Sequence, residues 1–455
     1  MPNALLILAA GRGTRMKSDA PKVLHQLGGV PMLYHAMAAA GPLKSDRVVV
    51  VAGFGASQVE AAAKSFDTTV DIVVQKEQLG TGHAVRVAKD ELAGFKGDIF
   101  VLYGDTPFIT AQTLEKMSKA RKDGAAVVVL GFEADDPALY GRLVLNENGL
   151  LVKIVEARDA DAIQQDITLC NSGVVCAEAA VLYDLVAEIG NNNKAQEYYL
   201  TDIVEIANQK ELKCSVVTCP QTETFGINSR SELAAAEAVF QRDARHAALE
   251  NGVTLQDPDS TIFAFDTLIG RDVVVAPHVV FGPGVTVESG AEIRAFSHLE
   301  GCHIGADVTI GPFARLRPGA EIGDTARVGN FVEVKAAQVG NGAKINHLTY
   351  IGDADIGADA NIGAGTVTCN YDGVLKHKTI VGEGAFIGSN TSLVAPVSVG
   401  AKAMTGSGSV ISKDVPAQAL GISRPRQANV PEFATKLMAR LTAIKSSRKK
   451  PDQDQ

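Results

Sequence analysis

The chain has 455 residues, 46% of them hydrophobic, and its 43 basic against 52 acidic side chains leave a formal charge of −9. That length exceeds one ordinary domain and predicts two or three, and the acidic balance argues against wholesale nucleic-acid binding while leaving anionic small molecules as substrates wherever cations cluster. Cys170, Cys176, Cys214, Cys219, Cys302 and Cys369 show neither zinc-ligand spacing nor a disulfide framework. No run reaches membrane-spanning length, and the apolar start lacks a basic leader and is cut short by Gly11-Arg12. A cytoplasmic enzyme with no nucleic-acid or membrane partner is the expectation.

Residues 1–228 alternate short apolar strands with helical stretches. The strands are predicted over Leu5–Ala10, Val48–Ala52, Ile72–Gln75, Ile99–Leu102 and Ala125–Phe132, and helices over Met32–Ala40, His83–Glu91 and Thr113–Lys122. That order predicts a mostly parallel, Rossmann-like α/β sheet covered on both faces. Leu143–Asn146 and Leu151–Glu156, separated by Glu147-Asn148-Gly149, read as a hairpin. Ligands of such folds bind at the carboxyl ends of the strands.

The first strand leads into Leu8-Ala-Ala-Gly11-Arg-Gly13-Thr-Arg15-Met16, with Lys22 beyond it. Glycines there let backbone N–H groups close on a phosphate, and Arg15 and Lys22 supply charge. A plain tight turn accounts for the glycines as well, and Met16 stands where a GxGxxG motif ends in glycine. Later strand ends carry Gln75, the Gly80-Thr81-Gly82 turn and Tyr103-Gly104-Asp105. Asp105 suits a Mg²⁺ ligand, because hard cations take oxygen donors; taken singly it reads more readily as a turn former or helix cap. Asn228 adjoins Ser229-Arg-Ser-Glu232, a capping box that opens an Ala-rich connecting helix to about Leu249, roughly 30 Å long at 1.5 Å per residue.

From Ile262 to Val415 the chain repeats every six residues, as in Ile304-Gly-Ala-Asp-Val-Thr and Ile322-Gly-Asp-Thr-Ala-Arg. An aliphatic residue opens each unit, glycine usually follows to take turn conformations, and a small residue stands fifth. A period of six fits neither helix nor strand alternation but fits a solenoid of hexapeptide units. A Gly-rich sandwich does not demand so strict a period. About two dozen units make about eight coils of three, roughly 40 Å of rod at the ~4.8 Å strand spacing. Flat apolar faces predict self-association.

On this rod Arg317 and Lys335 share the second position of units 18 residues apart, which places them one coil apart on one face. A phosphate bridging them is the functional reading, and a basic patch relieved by Glu321 or Glu333 the bland one. The unit Ile345-Asn-His347-Leu-Thr-Tyr350 adds a histidine that can accept a proton from an amine attacking a thioester. A polar insertion, Asn370–Lys378, is placed to reach over a neighbouring prism. Pro431–Ile444 has helical periodicity and Ser446–Gln455 reads as a disordered tail.

The strings LAAGRGTRM, PKVLH, EQLGTGHA, YGDTP, NSG and FGIN resemble those of sugar-phosphate nucleotidyltransferases across residues 1–228. NHLTYIGDADIG, NIGAGTVTCNYDG, FIGS and ISRPR extend the resemblance through the array to bifunctional uridyltransferase/acetyltransferases that make UDP-N-acetylglucosamine for bacterial cell-wall and lipopolysaccharide precursors. The resemblance implies a uridyltransferase domain at 1–228, a helical linker at 229–251 and, at 252–455, a left-handed parallel β-helix acetyltransferase. It implies that Leu8, Ala9, Ala10, Gly11, Gln75, Gly80, Thr81, Tyr103, Gly104 and Asp105 hold the uridine nucleotide, and that Gly141, Glu156 and Asn171 hold the sugar. Asp105 and Asn228 would bind Mg²⁺, while Arg15 and Lys22 would contact phosphates. On the rod it implies His347 as base, with Arg317, Lys335, Tyr350 and Asn361 on glucosamine 1-phosphate. Asn370 and Tyr371 would line the pocket, and Ala364, Ser389, Ser407 and Arg424 would contact acetyl-CoA in a homotrimer with sites between subunits. UTP and acetyl-CoA are the implied co-substrates. Ala336 departs from a second lysine common after the position of Lys335. A single-activity nucleotidyltransferase whose β-helix only oligomerises or regulates is the alternative, and a catalytically dead scaffold a further one.

Overall fold

A computed structural model describes residues 2–138, 140–193 and 196–448. The chain forms two units: residues 1–268 with 280–285, and residues 269–279 with everything from 286 onward.

In the first unit the central strand Asn3–Ala9 is flanked in parallel by Arg47–Ala52 and Asp98–Tyr103, with Asp71–Val74 beyond the former. Strand alternation splits its side chains between two cores. Leu6 and Leu8 pack on one face of the sheet and Leu5, Ile7 and Ala9 on the other, so both faces are covered and the strand reads as one apolar run. On the other side of Asp98–Tyr103 lies Leu169–Glu178, which runs antiparallel to its neighbours and leads to Val127–Glu133 and Cys214–Thr218. The sequence reading lacks this ten-residue strand because its pattern is interrupted. The pairing slips between Asn171 and Val175, around Gly173 at φ 89°. The hairpin forms as expected from Arg142–Leu145 and Leu151–Val155.

Helices shift modestly from expectation. Met32–Ala38 stops early and a separate turn, Ala40–Leu43, contains Gly41-Pro42. The expected helix at His83 starts at Thr81 and ends at Val87. Arg230–Glu250 is the connecting helix, and both halves of the Ser229/Glu232 capping box are present. It belongs with the first unit. Among the described residues no helix is long and apolar enough to cross a membrane.

The second unit is a left-handed parallel β-helix. Ile304, Ile310, Leu316, Ile322, Val328 and Val334 are all at most 1% exposed, and the fifth-position Val308, Ala314, Ala320, Ala326 and Val332 at most 2%. The array runs past its expected end at Val415, where Val399 bridges, to Leu420 and Gly421, which pair with Met404 and Thr405.

Two corrections apply. Most second-position glycines are not turn residues, since Gly305, Gly323, Gly340, Gly357, Gly363 and Gly388 lack positive φ. They are required by stacking: a Cβ on Gly363 would stand 2.5 Å from the Ser389 nitrogen, and one on Gly388 2.5 Å from the Ser407 nitrogen. The left-handed corner falls two residues later, at Asp307, Phe313, Thr325, Phe331, Leu348, Asp359, Asn390 and Lys402. Nor is every coil three sixes. Ala320 pairs with Ala337 and Val334 with Ile351, seventeen residues on, because the units at Val334 and Ile351 turn one residue early, at Ala336 and Asp353.

The last helix, Phe433–Ser447, runs three residues past the expected Ile444 and takes in the start of the predicted tail. Residues 449–455 of that tail lie outside the described residues.

Candidate active sites

At the carboxyl ends of the parallel strands in the first unit lies a cleft of about 730 Å³. Leu8, Ala9, Ala10, Gly11, Lys22, Gln75, Gly80, Thr81, Tyr103, Asp105, Glu156 and Asn171, twelve of the residues singled out above, line it. Gly13 adopts φ 63°, and a Cβ there would stand 2.5 Å from Lys22 Cβ, so the glycine lets the lysine stem cross the loop. Lys22 Nζ donates to Asn228 Oδ1 at 2.8 Å and forms an ion pair with Asp105. Asn228 thus reaches the cleft through Lys22, although it is not part of the lining. Its N–H donates to Glu232 Oε2 at 2.6 Å, and the Ile227 N–H to Asp105 O at 3.0 Å. The start of the connecting helix therefore holds the Asp105 loop.

Gly104, which donates to Leu8 O at 3.0 Å, and Gly141, whose carbonyl accepts from the Asn171 N–H at 2.8 Å, are bonded to lining residues without being part of the lining. Arg15 is exposed and outside the lining. Burial pushes the Tyr103 hydroxyl above the usual phenol range, with Asp105 adding to it against a hydrogen bond with Thr81. Burial likewise raises the Glu156 carboxyl; Asp159 adds to this and a hydrogen bond with Thr201 opposes it. Sequence reasoning missed Gln78, Arg158, Tyr199 and Thr201 in the lining. The polar run Glu197-Tyr-Tyr-Leu-Thr201 directly before helix Asp202–Gln209 was the available signal.

On the β-helix, Leu316 pairs with Val334 and the Arg317 N–H donates to Val334 O at 2.9 Å, so Arg317 and Lys335 are successive residues of one column. The bland reading holds in part, for Arg317 Nη1 donates to Glu333 Oε1 at 2.8 Å. Lys335 instead faces Lys376 of the insertion. The like charges of Lys376 and Arg317 hold the Lys335 ammonium below the usual lysine range, and Asp353 holds that of Lys376 above it. Ala336, Asp353, Lys376, His377 and Lys378 enclose about 260 Å³ beside them. The insertion folds on its own chain: His377 N donates to Asn370 O at 2.8 Å, and Asn370 Nδ2 to Asp353 Oδ2 at 2.5 Å. A Cβ on Gly352 would meet Tyr350 Oη at 2.4 Å and Asn370 Nδ2 at 2.8 Å, so the bare glycine lets both side chains lie over it. Tyr371 is exposed, its hydroxyl donating to Gly373 O at 2.6 Å.

His347 ends the strand Lys344–His347 and Tyr350 opens the next, with the left-handed Leu348 between them. His347 Nδ1 lies 2.6 Å from Asn330 Oδ1, its register partner one coil earlier. The column runs on: Gly365 N donates to His347 O, Asn390 N to Ala364 O and Gly408 N to Ser389 O. Asn330, His347, Ala364, Ser389 and Ser407 thus occupy the third position of their units in successive coils along one corner, and Arg424 Nη1 reaches Ser407 O at 2.6 Å. Asn361 lies on a different sheet from Lys335, paired with Lys344 of the strand that ends in His347. Asn330 was missed, although its third position seventeen residues before His347 marks it once coil length is known.

A cleft at the strand ends of one unit and a hexapeptide β-helix bearing a histidine and a cation cluster on the other have the form of a transferase with two sites. Residues 5–165 match the MobA-like NTP transferase domain, and residues 301–336 the bacterial transferase hexapeptide (six repeats). Among curated relatives, the bifunctional protein GlmU of Cereibacter sphaeroides (strain ATCC 17025 / ATH 2.4.3) is 61% identical over 447 residues, 98% of each chain. That of Jannaschia sp. (strain CCS1) is 58% identical over 449 residues, 99% of this chain and 98% of the relative. That of Ruegeria sp. (strain TM1040) is 58% identical over 450 residues, 99% and 100%. The chain belongs to the bifunctional GlmU family, and it is a transferase with uridyltransferase and acetyltransferase activities. The single-activity alternative is thereby set aside.

Proposed function

We propose that the chain acetylates glucosamine 1-phosphate with acetyl-CoA on the β-helix and then transfers UMP from UTP to the resulting N-acetylglucosamine 1-phosphate in the N-terminal cleft. Residues 1–228 carry the second reaction, 229–251 link, and 252–455 carry the first. The enzyme works in the cytoplasm.

The observation that carries the acetyl-transfer site is the contact between His347 and Asn330. Nδ1–H donating to Asn330 Oδ1 leaves Nε2 without a proton, and that nitrogen takes the proton from the substrate amine as it attacks the thioester carbon. Arg317, Lys335 and Lys376 bind the sugar phosphate, whose charge relieves their mutual repulsion. Tyr350, Asn361, Asn370 and Tyr371 complete the sugar pocket. Acetyl-CoA lies along the Ala364, Ser389, Ser407 column with Arg424.

In the cleft the sugar phosphate oxygen attacks the α-phosphorus of UTP and pyrophosphate leaves, so the protein's task is positioning and charge. Gln75, Gly80 and Thr81 hold the base, Tyr103 and Gly104 the nucleoside, and Glu156, Asn171 and Gly141 the sugar. The Leu8–Gly11 loop, Lys22 and Arg15 take the phosphates. Asp105 and Asn228 fit Mg²⁺, since their two hard oxygens converge on a point already favourable to a cation, the Lys22 ammonium, and phosphate oxygens and water complete such a shell. Bound there, the ion supplies charge neutralisation at the phosphates.

The exposed stack of Phe296, Phe313 and Phe331, with centroids 5.0 and 5.2 Å apart, followed by Leu348 at 62% exposure, supports self-association of the β-helix as a homotrimer with shared acetyl-transfer sites. A coupled assay from glucosamine 1-phosphate, acetyl-CoA, UTP and Mg²⁺ tests the whole. UDP-N-acetylglucosamine, pyrophosphate and free thiol are expected in equal amounts. Release of thiol without the nucleotide sugar refutes the uridyl-transfer step, and formation of UDP-glucosamine before any thiol refutes the order.

A further inference from the structure

Gln75 lines the cleft yet is only 3% exposed. Its backbone is engaged, the N–H donating to Ala52 O at 2.8 Å and the carbonyl accepting from Gln78 Nε2 at 3.4 Å. Its side-chain Nε2 lies 3.1 Å from Gly80 O and 3.0 Å from His83 Nδ1. A backbone carbonyl can only accept, so the amide nitrogen and not the oxygen must face Gly80. The second amide hydrogen then goes to His83 Nδ1, which accepts it when the imidazole is neutral with its proton on Nε2. Both donors are used, and among the described residues Oε1 has no hydrogen-bond partner. The imidazole is itself seated beside Tyr198, with ring centroids 6.3 Å apart. The Tyr198 backbone clasps this turn, accepting from the Gly82 N–H and donating to Leu79 O, each at 2.8 Å.

We infer that His83 is a positioning residue that locks the Gln75 amide with its oxygen toward the nucleotide base, and so makes the cleft discriminate uracil from cytosine. The inference rests on reading this cleft as the nucleotide site. An acceptor open to the cleft with no donor beside it pairs with the N3–H of uracil and meets only a lone pair at N3 of cytosine. A site built to hydrogen-bond one partner rejects the analogue lacking the matching group. With His83 removed, one amide N–H loses its acceptor, and the aim of the oxygen rests on the Gly80 carbonyl alone. The residue touches no reacting atom; its effect passes through Gln75.

The test compares kcat/KM for UTP and CTP in the full-length enzyme. His83→Leu should lower the UTP/CTP ratio by roughly tenfold, about the worth of one hydrogen bond, with acetyl transfer unchanged. His83→Asn, whose Oδ1 can accept in place of Nδ1, should restore most of the ratio. Nitrogen-15 spectra of the wild-type imidazole supply a readout that needs no variant, and should show Nδ1 unprotonated and Nε2 protonated. A proton on Nδ1, or a ratio within twofold of wild type in His83→Leu, overturns the inference. Gln75→Ala separates this from the underlying reading: unchanged use of UTP in that variant removes the cleft as the base site. A loss there beside an unmoved His83→Leu ratio removes the role of His83 alone.

Discussion

Single side chains here act through the partners that aim them. Lys22 gathers Asp105 and Asn228 to one point, so Lys22→Ala should reduce uridyl transfer by roughly 10²-fold or more and leave acetyl transfer at the wild-type rate, as separate assays of the two half-reactions would record. His347→Ala should do the converse, lowering acetyl transfer by about 10²–10⁴-fold, the usual contribution of a general base. Asn330→Ala should cost less, because the base remains and only its tautomer is freed. Glu156 adds a pH signature. Burial raises its carboxyl, so its contribution to folding is fully present when it is protonated and is lost as pH climbs through the raised value. Glu156→Gln should therefore raise Tm near neutral pH, and the gain should shrink on acidification past the ordinary glutamate range, while sugar binding weakens. Equal Tm gains at pH 4 and pH 8 would contradict the assignment.

Among elements, the β-helix was the most legible from sequence because its rule is local and repeated: each aliphatic opener meets the same wall. What the sequence did not disclose is where coils shorten, since Val334 and Ile351 open units that look regular until the left-handed residue is located at Ala336 and Asp353. Asn330 escaped notice for that reason, its partner His347 lying seventeen positions away instead of eighteen. The strand Leu169–Glu178 escaped for another, the slip around Gly173. The glycine columns give a sharper prediction than turn preference does. Gly340→Ala would bring a Cβ to 2.5 Å from the Ala358 nitrogen and should destabilise the β-helix by about 1–3 kcal/mol, the cost of overpacking one coil against the next. Gly94→Ala, where the added carbon meets nothing within 4 Å, should lower Tm only through its φ of 75°. Thermal melts of the two variants distinguish stacking from turn strain. At the capping box, Ser229→Ala should cost about 1 kcal/mol.

At the scale of the molecule, two chemistries share one chain, and the N-terminal cleft could be outlined before any coordinates because its residues fall at strand ends. The proposed acetyl-transfer centre could not be outlined so fully, because a corner column draws on units scattered from Asn330 to Ser407. Sedimentation should find a trimer, and substitution of the stacked corner, Phe313→Asp with Phe331→Asp, should shift it toward monomer with acetyl transfer lost and uridyl transfer kept. A monomer with full acetyl transfer would refute the shared site.

The unequal coils carry a consequence for how such enzymes diversify. Where Val334 and Ile351 turn early, the walls stay aligned with one residue fewer. Between Ile356 and Val381 they stay aligned across twenty-five residues, with the Asn370–Lys378 loop extruded outward. Gains and losses of chain are absorbed at the bends and never reach the interior. A lineage can therefore lengthen or trim a bend to reshape what it grips, and a graft of foreign loop at another bend should leave the rod's melting temperature nearly as it was.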